Sequence, residues 1–129
     1  MSSPPTRDGM MEHFGIRVVS AERDRITAEL DLDHRHLNGN GIMHGGAVMA
    51  FADGLGGMGA GLNVPHGSRT TTLESKTNFF RPCLPGRVTA VSVPVHLGRR
   101  TMVWQTSIHG PDGKLVALVT QTQLVVPRE

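Results

Sequence analysis

Residues 45–64 read GGAVMAFADGLGGMGAGLNV, in which Asp53 is the single charge among Gly, Ala, Val, Met, Leu and Phe. A run of this length suits a long buried helix better than a strand. Its glycines each cost about 1 kcal/mol relative to Ala, so intrinsic propensity does not hold the helix and the rest of the fold must wrap it. A membrane span is the other reading of a long apolar helix. It fails here: Gly and Ala give little transfer energy, Asp53 would cost about 2.5–3.5 kcal/mol near the bilayer centre, and no Lys or Arg cluster borders the segment.

Strand signals lie on both sides of this helix. Ile26, Ala28, Leu30 and Leu32 alternate with Thr27, Glu29, Asp31 and Asp33, the pattern of a strand with one wet face. The turn-like Glu22-Arg23-Asp24 makes Ile16 to Leu32 a hairpin, preceded by a short helix at Met10 to Phe14. Asp33 to Met43, rich in His, Asn and Gly, is a loop. After the helix, Arg69 to Phe80, Arg87 to Leu97, Thr101 to His109 and Leu115 to Val126 read as strands, separated by Pro82 to Gly86, Gly98 and Gly110 to Gly113. Pro94 marks a bulge or an edge. The class is α+β, an antiparallel sheet packed on one long helix. Residues 1–8 read as a flexible tail, and residues 9–129 as a single domain.

With 129 residues the chain fits one domain. Four Phe, one Trp and no Tyr leave few platforms for stacking bases, which argues against nucleic acid. The net charge of +2 tolerates an anionic ligand without demonstrating one. A lone Cys83 and no signal segment point to a reducing cytoplasm. Cys83 lies between Pro82 and Leu84 with no Cys-His motif and reads as a structural thiol.

Three constellations bear on chemistry. Gly54-Leu55-Gly56-Gly57-Met58-Gly59, with Glu74 downstream, matches the dinucleotide pattern G-x-G-x-x-G, but that pattern needs a parallel βαβ unit and only strands follow. Close approach of other backbone to the helix explains the glycines better. His34, His36 and His44 resemble a metal set, but no carboxylate completes it, and no metal is expected. The third is Asn38 to Gly46 followed by Ala52-Asp53. A carboxylate inside an apolar helix is paired, protonated or reactive, and a hydrogen bond to a strand residue such as Thr72 would make it structural.

Gly46, Ala50, Gly57 and Ala60 share the Asp53 face and leave room for a ligand or a second chain. At the helix start, with His44 in the N-cap region, Gly45 and Gly46 present free N–H groups at the positive end of the dipole, where an oxyanion would be stabilised. Gly45 and Asp53 are eight residues apart, roughly 12 Å along a helix axis. One carbonyl cannot meet both in one subunit, so if both act on it the protein is a homodimer with shared sites.

Asn38, His44-Gly45-Gly46, Asp53 nine positions after its His, and Thr72 to Pro82 with its closing F-x-R-P resemble the hotdog-fold acyl-CoA thioesterases of the PaaI-like, phenylacetate-degradation group. The likeness spans most of the chain after about residue 12. It implies a curved antiparallel sheet around the helix, dimers and often tetramers, and acyl-CoA hydrolysis without metal or redox cofactor. By the same likeness Asp53 is general base or nucleophile, Gly45 N–H polarises the carbonyl, Asn38 and His44 position the thioester, and Thr72 orients the water. Thr71 remains the alternative to Thr72, because a one-residue slip reverses the face. Gly46, Phe80, Arg81, Arg99 and Arg100 are the substrate-binding candidates, the arginines for the CoA phosphates. Met49, Met58, Phe79 and Phe80 suggest an apolar pocket that suits aryl and medium-chain acyl groups alike, on CoA or an acyl-carrier protein. The rival functions are a hotdog hydratase or dehydratase and a non-catalytic acyl-thioester binding module.

Overall fold

The computed structural model describes residues 9–127, so the tail expected at residues 1–8 lies outside the described residues. A short helix, α1 (Gly9–Phe14), leads into strands β1 (Arg17–Glu22) and β2 (Arg25–Leu32). These two form the expected hairpin, Glu22 pairing with Arg25 across Arg23 and Asp24. Within the loop that follows, a 3-10 turn at His34–His36 precedes α2 (Gly45–Gly61). Then come β3 (Arg69–Phe79), β4 (Gly86–Leu97), β5 (Thr101–His109) and β6 (Leu115–Val126).

The helix expected to reach Val64 stops at Gly61. Leu62 N–H is shared between the Met58 and Gly59 carbonyls and Asn63 N–H turns back to Ala60, a tightened last turn that uses up the terminal acceptors. The Asn63 side chain then ties Gly59 to the Arg23 carbonyl of the β1–β2 turn.

All six strands form one antiparallel sheet in the order β1-β2-β4-β5-β6-β3, and all six reach α2. The helix is therefore wrapped, as its poor propensity requires. Inward positions of β2 (Ile26, Ala28, Leu30, Leu32), β4 (Val88, Ala90), β5 (Met102, Trp104, Ile108) and β6 (Ala117, Val119) close on Ala47, Val48, Phe51, Ala52, Leu55 and Ala60 of the helix. Burying a side chain such as Phe51 or Leu55 contributes roughly 1.5–3 kcal/mol. Pro94 lies in the interior strand β4, at the register shift between Pro94 and His96, so it marks a bulge and not an edge.

Gly56 and Gly59 of the helix admit side chains of the sheet, where backbone was expected. A Cβ on Gly59 would stand 2.5 Å from the Trp104 ring, and one on Gly56 would collide with the Gln121 amide. The G-x-G-x-x-G match is thus a stretch of helix interior, and Glu74 is engaged elsewhere, accepting from Thr122 Oγ1 at 2.8 Å. His36 is equally committed: buried, it accepts the Asp33 N–H at Nδ1 and its Nε2 meets the Phe14 carbonyl at 2.8 Å, which anchors α1.

Candidate active site

The start of α2 is built by a loop that closes on itself. Leu37 bridges to Met43, Gly41 turns with φ 76°, and Asn38 Oδ1 accepts the N–H groups of Asn40 at 2.8 Å and Ile42 at 3.4 Å. Two backbone donors on one oxygen fix the amide, whose NH2 then has no partner among the described residues. Met43 N–H binds the Cys83 carbonyl and His44 N–H the His36 carbonyl, which seats the helix start against the segment after β3.

His44 is the N-cap. Its backbone is extended, with φ −62° and ψ 135°, its Nδ1 accepts Gly46 N–H at 2.8 Å, and its carbonyl takes the N–H groups of Ala47 and Val48. A ring that accepts at Nδ1 carries its proton on Nε2. Of the first-turn donors, only Gly45 N–H is left without a partner among the described residues, at the positive end of the dipole. Both glycine amides were expected to be free; that of Gly46 is consumed by the cap.

Phe79 stands over this amide, and a Cβ on Gly45 would lie 3.3 Å from its ring. A groove of about 410 Å³ opens here, lined by Asn38, Gly45, Val48, Phe79, Phe80, Arg81 and Cys83 among others. Burial pushes the Cys83 thiol up, which holds it in the unreactive protonated form.

Asp53 lies farther along the same helix. Its Oδ1 accepts from Thr72 Oγ1 at 3.0 Å and, at the outer limit of a hydrogen bond, from Gln121 Nε2 at 3.5 Å. Gln123 Nε2 donates in turn to Thr72 Oγ1 at 2.7 Å. Asp53 Oδ2 has no partner among the described residues.

The expectation that Asp53 is buried is corrected within one chain. The sheet covers Ala47, Val48, Phe51, Ala52, Leu55, Gly56, Gly59 and Ala60, whereas Asp53 is exposed, like Met49 one turn earlier. Its carboxylate stays hydrated and needs no buried counter-charge. Ala60 belongs to the core, so it does not share the open face attributed to it; Gly57 does, since a Cβ there would meet nothing within 4 Å.

Thr72, not Thr71, is the residue brought to Asp53, because of a bulge. Thr72 pairs with Gln123 and Glu74 with Thr122, leaving Leu73 as the extra residue. Ser75 and Thr77 pair with the inward Gln121 and Val119, and counting back from them by twos would have pointed to Thr71. The two glutamines were missed by the sequence reading. Their signal was parity: Ala117 and Val119 face inward on β6, so Gln121 and Gln123 must do so too.

One chain therefore places the candidate residues in two separate groups. Asn38, His44, Gly45, Gly46, Phe80 and Arg81 gather at the start of α2, and Asp53 with Thr72 lies about 12 Å farther along its axis. Arg99 and Arg100 join neither. They line a separate cleft of about 540 Å³ with Asn63 and Ser68, beyond the C-terminal end of α2.

Comparison with known proteins agrees with this architecture. Residues 40–117 match the Thioesterase superfamily. A putative esterase of Haemophilus influenzae is 33% identical over 116 residues, which span 90% of this chain and 84% of the relative. The crystal structure of a thioesterase from that organism superposes with a TM-score of 0.85 at 33% identity, over 90% of this chain and 81% of that one. The proofreading thioesterase EntH of Klebsiella pneumoniae is 31% identical across 81% of this chain and 77% of its own length. The E. coli PaaI structure, at 23% identity and a TM-score of 0.86 over 94% of this chain and 86% of that one, speaks for the fold alone. The wrapped helix is that of a hotdog fold, and the chain belongs to the thioesterase superfamily as a thioester hydrolase.

Proposed function

We propose that the chain hydrolyses an acyl-CoA thioester with an aryl or medium-chain acyl group, and that each active site is shared between two copies. The observation that carries this reading is the division of the chemistry along α2: one unpartnered amide at Gly45, and a carboxylate with one open oxygen at Asp53. In two copies related by a two-fold axis, the partner's Gly45 faces Asp53 when the axis passes the residue midway between them. That residue is Met49, which is apolar and 39% exposed, and there it meets its own copy. The edge strand β3 supports the same assembly, since among the described residues it has no strand partner on one side and leaves Leu73 and Phe79 more than half exposed.

In the proposed reaction a water between Asp53 Oδ2 and the carbonyl carbon gives its proton to the carboxylate as it attacks. Alternatively the carboxylate attacks directly, and water then cleaves the anhydride. The oxyanion forms against the partner's Gly45 N–H, where a preorganised donor at a helix N-terminus is most effective. The Asn38 amide and His44 Nε2–H lie on the amide's side and position the thioester, while Gly46 and Phe80 contact the substrate beside them. Collapse expels the CoA thiolate, a good leaving group. These steps need no metal or redox cofactor.

The axis at Met49 also brings the C-terminal end of α2 toward the partner's Asn38 loop. Arg99 and Arg100 then approach the partner's groove and, with the partner's Arg81, offer cations to the phosphates of one CoA. Dimers of this kind can pair again into tetramers. The single cysteine fits the cytoplasm; among the described residues no helix is long and apolar enough to cross a membrane.

The test is Asp53→Asn assayed for thiol release over a panel of acyl-CoAs and acyl-carrier-protein thioesters. Turnover is expected to fall on the order of 10²-fold or more, with the sedimentation coefficient unchanged. Turnover close to wild type in that variant would contradict the assignment.

A further inference from the structure

From β6, Gln121 reaches Asp53 directly and Gln123 reaches it only through Thr72. Gln121 and Gln123 are 0% and 1% exposed, on a strand whose preceding inward residues are apolar core. A primary amide in that position is costly unless its hydrogen bonds are remade. Gln123 spends an N–H on Thr72 Oγ1 at 2.7 Å, and Thr72 spends its hydroxyl on Asp53 Oδ1 at 3.0 Å.

We propose that Gln123 is a positioning residue for Asp53, acting through Thr72: it fixes the direction of the Thr72 hydroxyl, so that Oδ1 is held and Oδ2 is left for the reacting water. The proposal rests on reading Asp53 as the reacting carboxylate.

A hydroxyl has a single proton and two lone pairs. The Gln123 amide nitrogen occupies one lone pair and cannot accept, so the proton of Thr72 is free only for Asp53. Were the amide turned over, its oxygen would claim that proton and leave the Asp53 carboxylate facing a lone pair. Only one orientation satisfies all three groups. The two carboxylate oxygens become unequal as a result. Oδ1 is anchored by Thr72 and, more weakly, by Gln121, while the other lone pair of Thr72 stays available to a water beside Oδ2.

The bulge at Leu73 is what makes the chain of bonds possible, because it sets Thr72 directly opposite Gln123. Without it Leu73 would stand opposite Gln123, and Thr72 would lie on the other face of the strand. A rotated carboxylate still leaves the acyl-CoA groove intact, so the loss belongs in kcat and not in KM.

A double-mutant cycle on acyl-CoA hydrolysis tests this, with Gln123→Leu, Thr72→Val and their combination, each also melted thermally. Gln123→Leu is expected to lower kcat on the order of tenfold with KM within about twofold. The double variant is expected to be no slower than Thr72→Val alone, because Gln123 works only through that hydroxyl. Losses that multiply in the double variant, or a wild-type kcat in Gln123→Leu, would overturn the proposal. If Gln123→Leu fails to fold, Gln123→Met supplies the same cycle with a longer, more adaptable side chain. Asp53→Asn separates the two readings: an active Asp53→Asn removes the reacting carboxylate itself, whereas an inactive one beside a multiplicative cycle removes only the role of Gln123.

Discussion

Gly45 is the residue at which the proposed chemistry can be altered with least damage to the structure. It is the first residue of α2, where proline is favoured because the missing N–H is already an orphan. The residue before it, His44, has φ −62° and ψ 135°, a conformation that a following proline accepts. Gly45→Pro is therefore expected to keep the helix and the melting temperature while deleting the first-turn amide that has no partner among the described residues, with kcat falling about 10²–10³-fold. Gly45→Ala keeps the amide and asks only the ring end of the exposed Phe79 to move a few tenths of an ångström from 3.3 Å; it is expected to retain most activity. Equal losses in both variants would mean that crowding, not the amide, is what matters. At this scale the sequence was readable where one residue type implies one chemistry: Asp53 stands out as the single charge of its run, and His44 as a cap before two glycines. It was not readable where a count along a strand decides, because the Leu73 bulge inverts parity between Ser75 and Thr72. The exposure of Asp53 was also hidden, since periodicity marks the apolar side of a helix without saying how far the sheet wraps it.

At the level of elements, α2 is held by what packs on it, and its glycines are therefore not equivalent. Gly59 lies under Trp104, where a Cβ would come within 2.5 Å of the ring, whereas Gly57 faces open space. Gly59→Ala should destabilise by about 1–3 kcal/mol through overpacking, and Gly57→Ala should stabilise by up to about 1 kcal/mol through helix propensity. Chemical denaturation of the two variants reads this directly, and equal effects would show that the glycines serve the helix backbone alone. Elements were the most legible level of this fold. Alternation in β2 and the length of the apolar run gave that strand and the helix nearly as observed, because each rests on local periodicity. The end of α2 at Gly61 was missed because it depends on tertiary bonds, in particular those of Asn63 to Gly59 and to Arg23.

For the whole molecule, the geometry of a single helix sets the size of the working unit. Eight residues of α2 separate Gly45 from Asp53, and no side-chain motion shortens the axis of a helix that the sheet holds along its length. This spacing was visible in the sequence, whereas the division of the arginines between two clefts was not, since it depends on where the β4–β5 turn falls in space. In the proposed dimer the Gly45 amide and the Asp53 carboxylate of one site come from different copies. Mixing Gly45→Pro with Asp53→Asn, each expected to be nearly inactive alone, under conditions of subunit exchange distinguishes a shared site from one within a single chain. In a mixed dimer one site collects both defects and the other has neither, so thiol release from acyl-CoA is expected to recover to about a quarter of the wild-type rate at equal mixing. If mixed dimers form, as native mass spectrometry would detect, and the mixture stays as inactive as its parents, the site lies within one chain and the account is wrong.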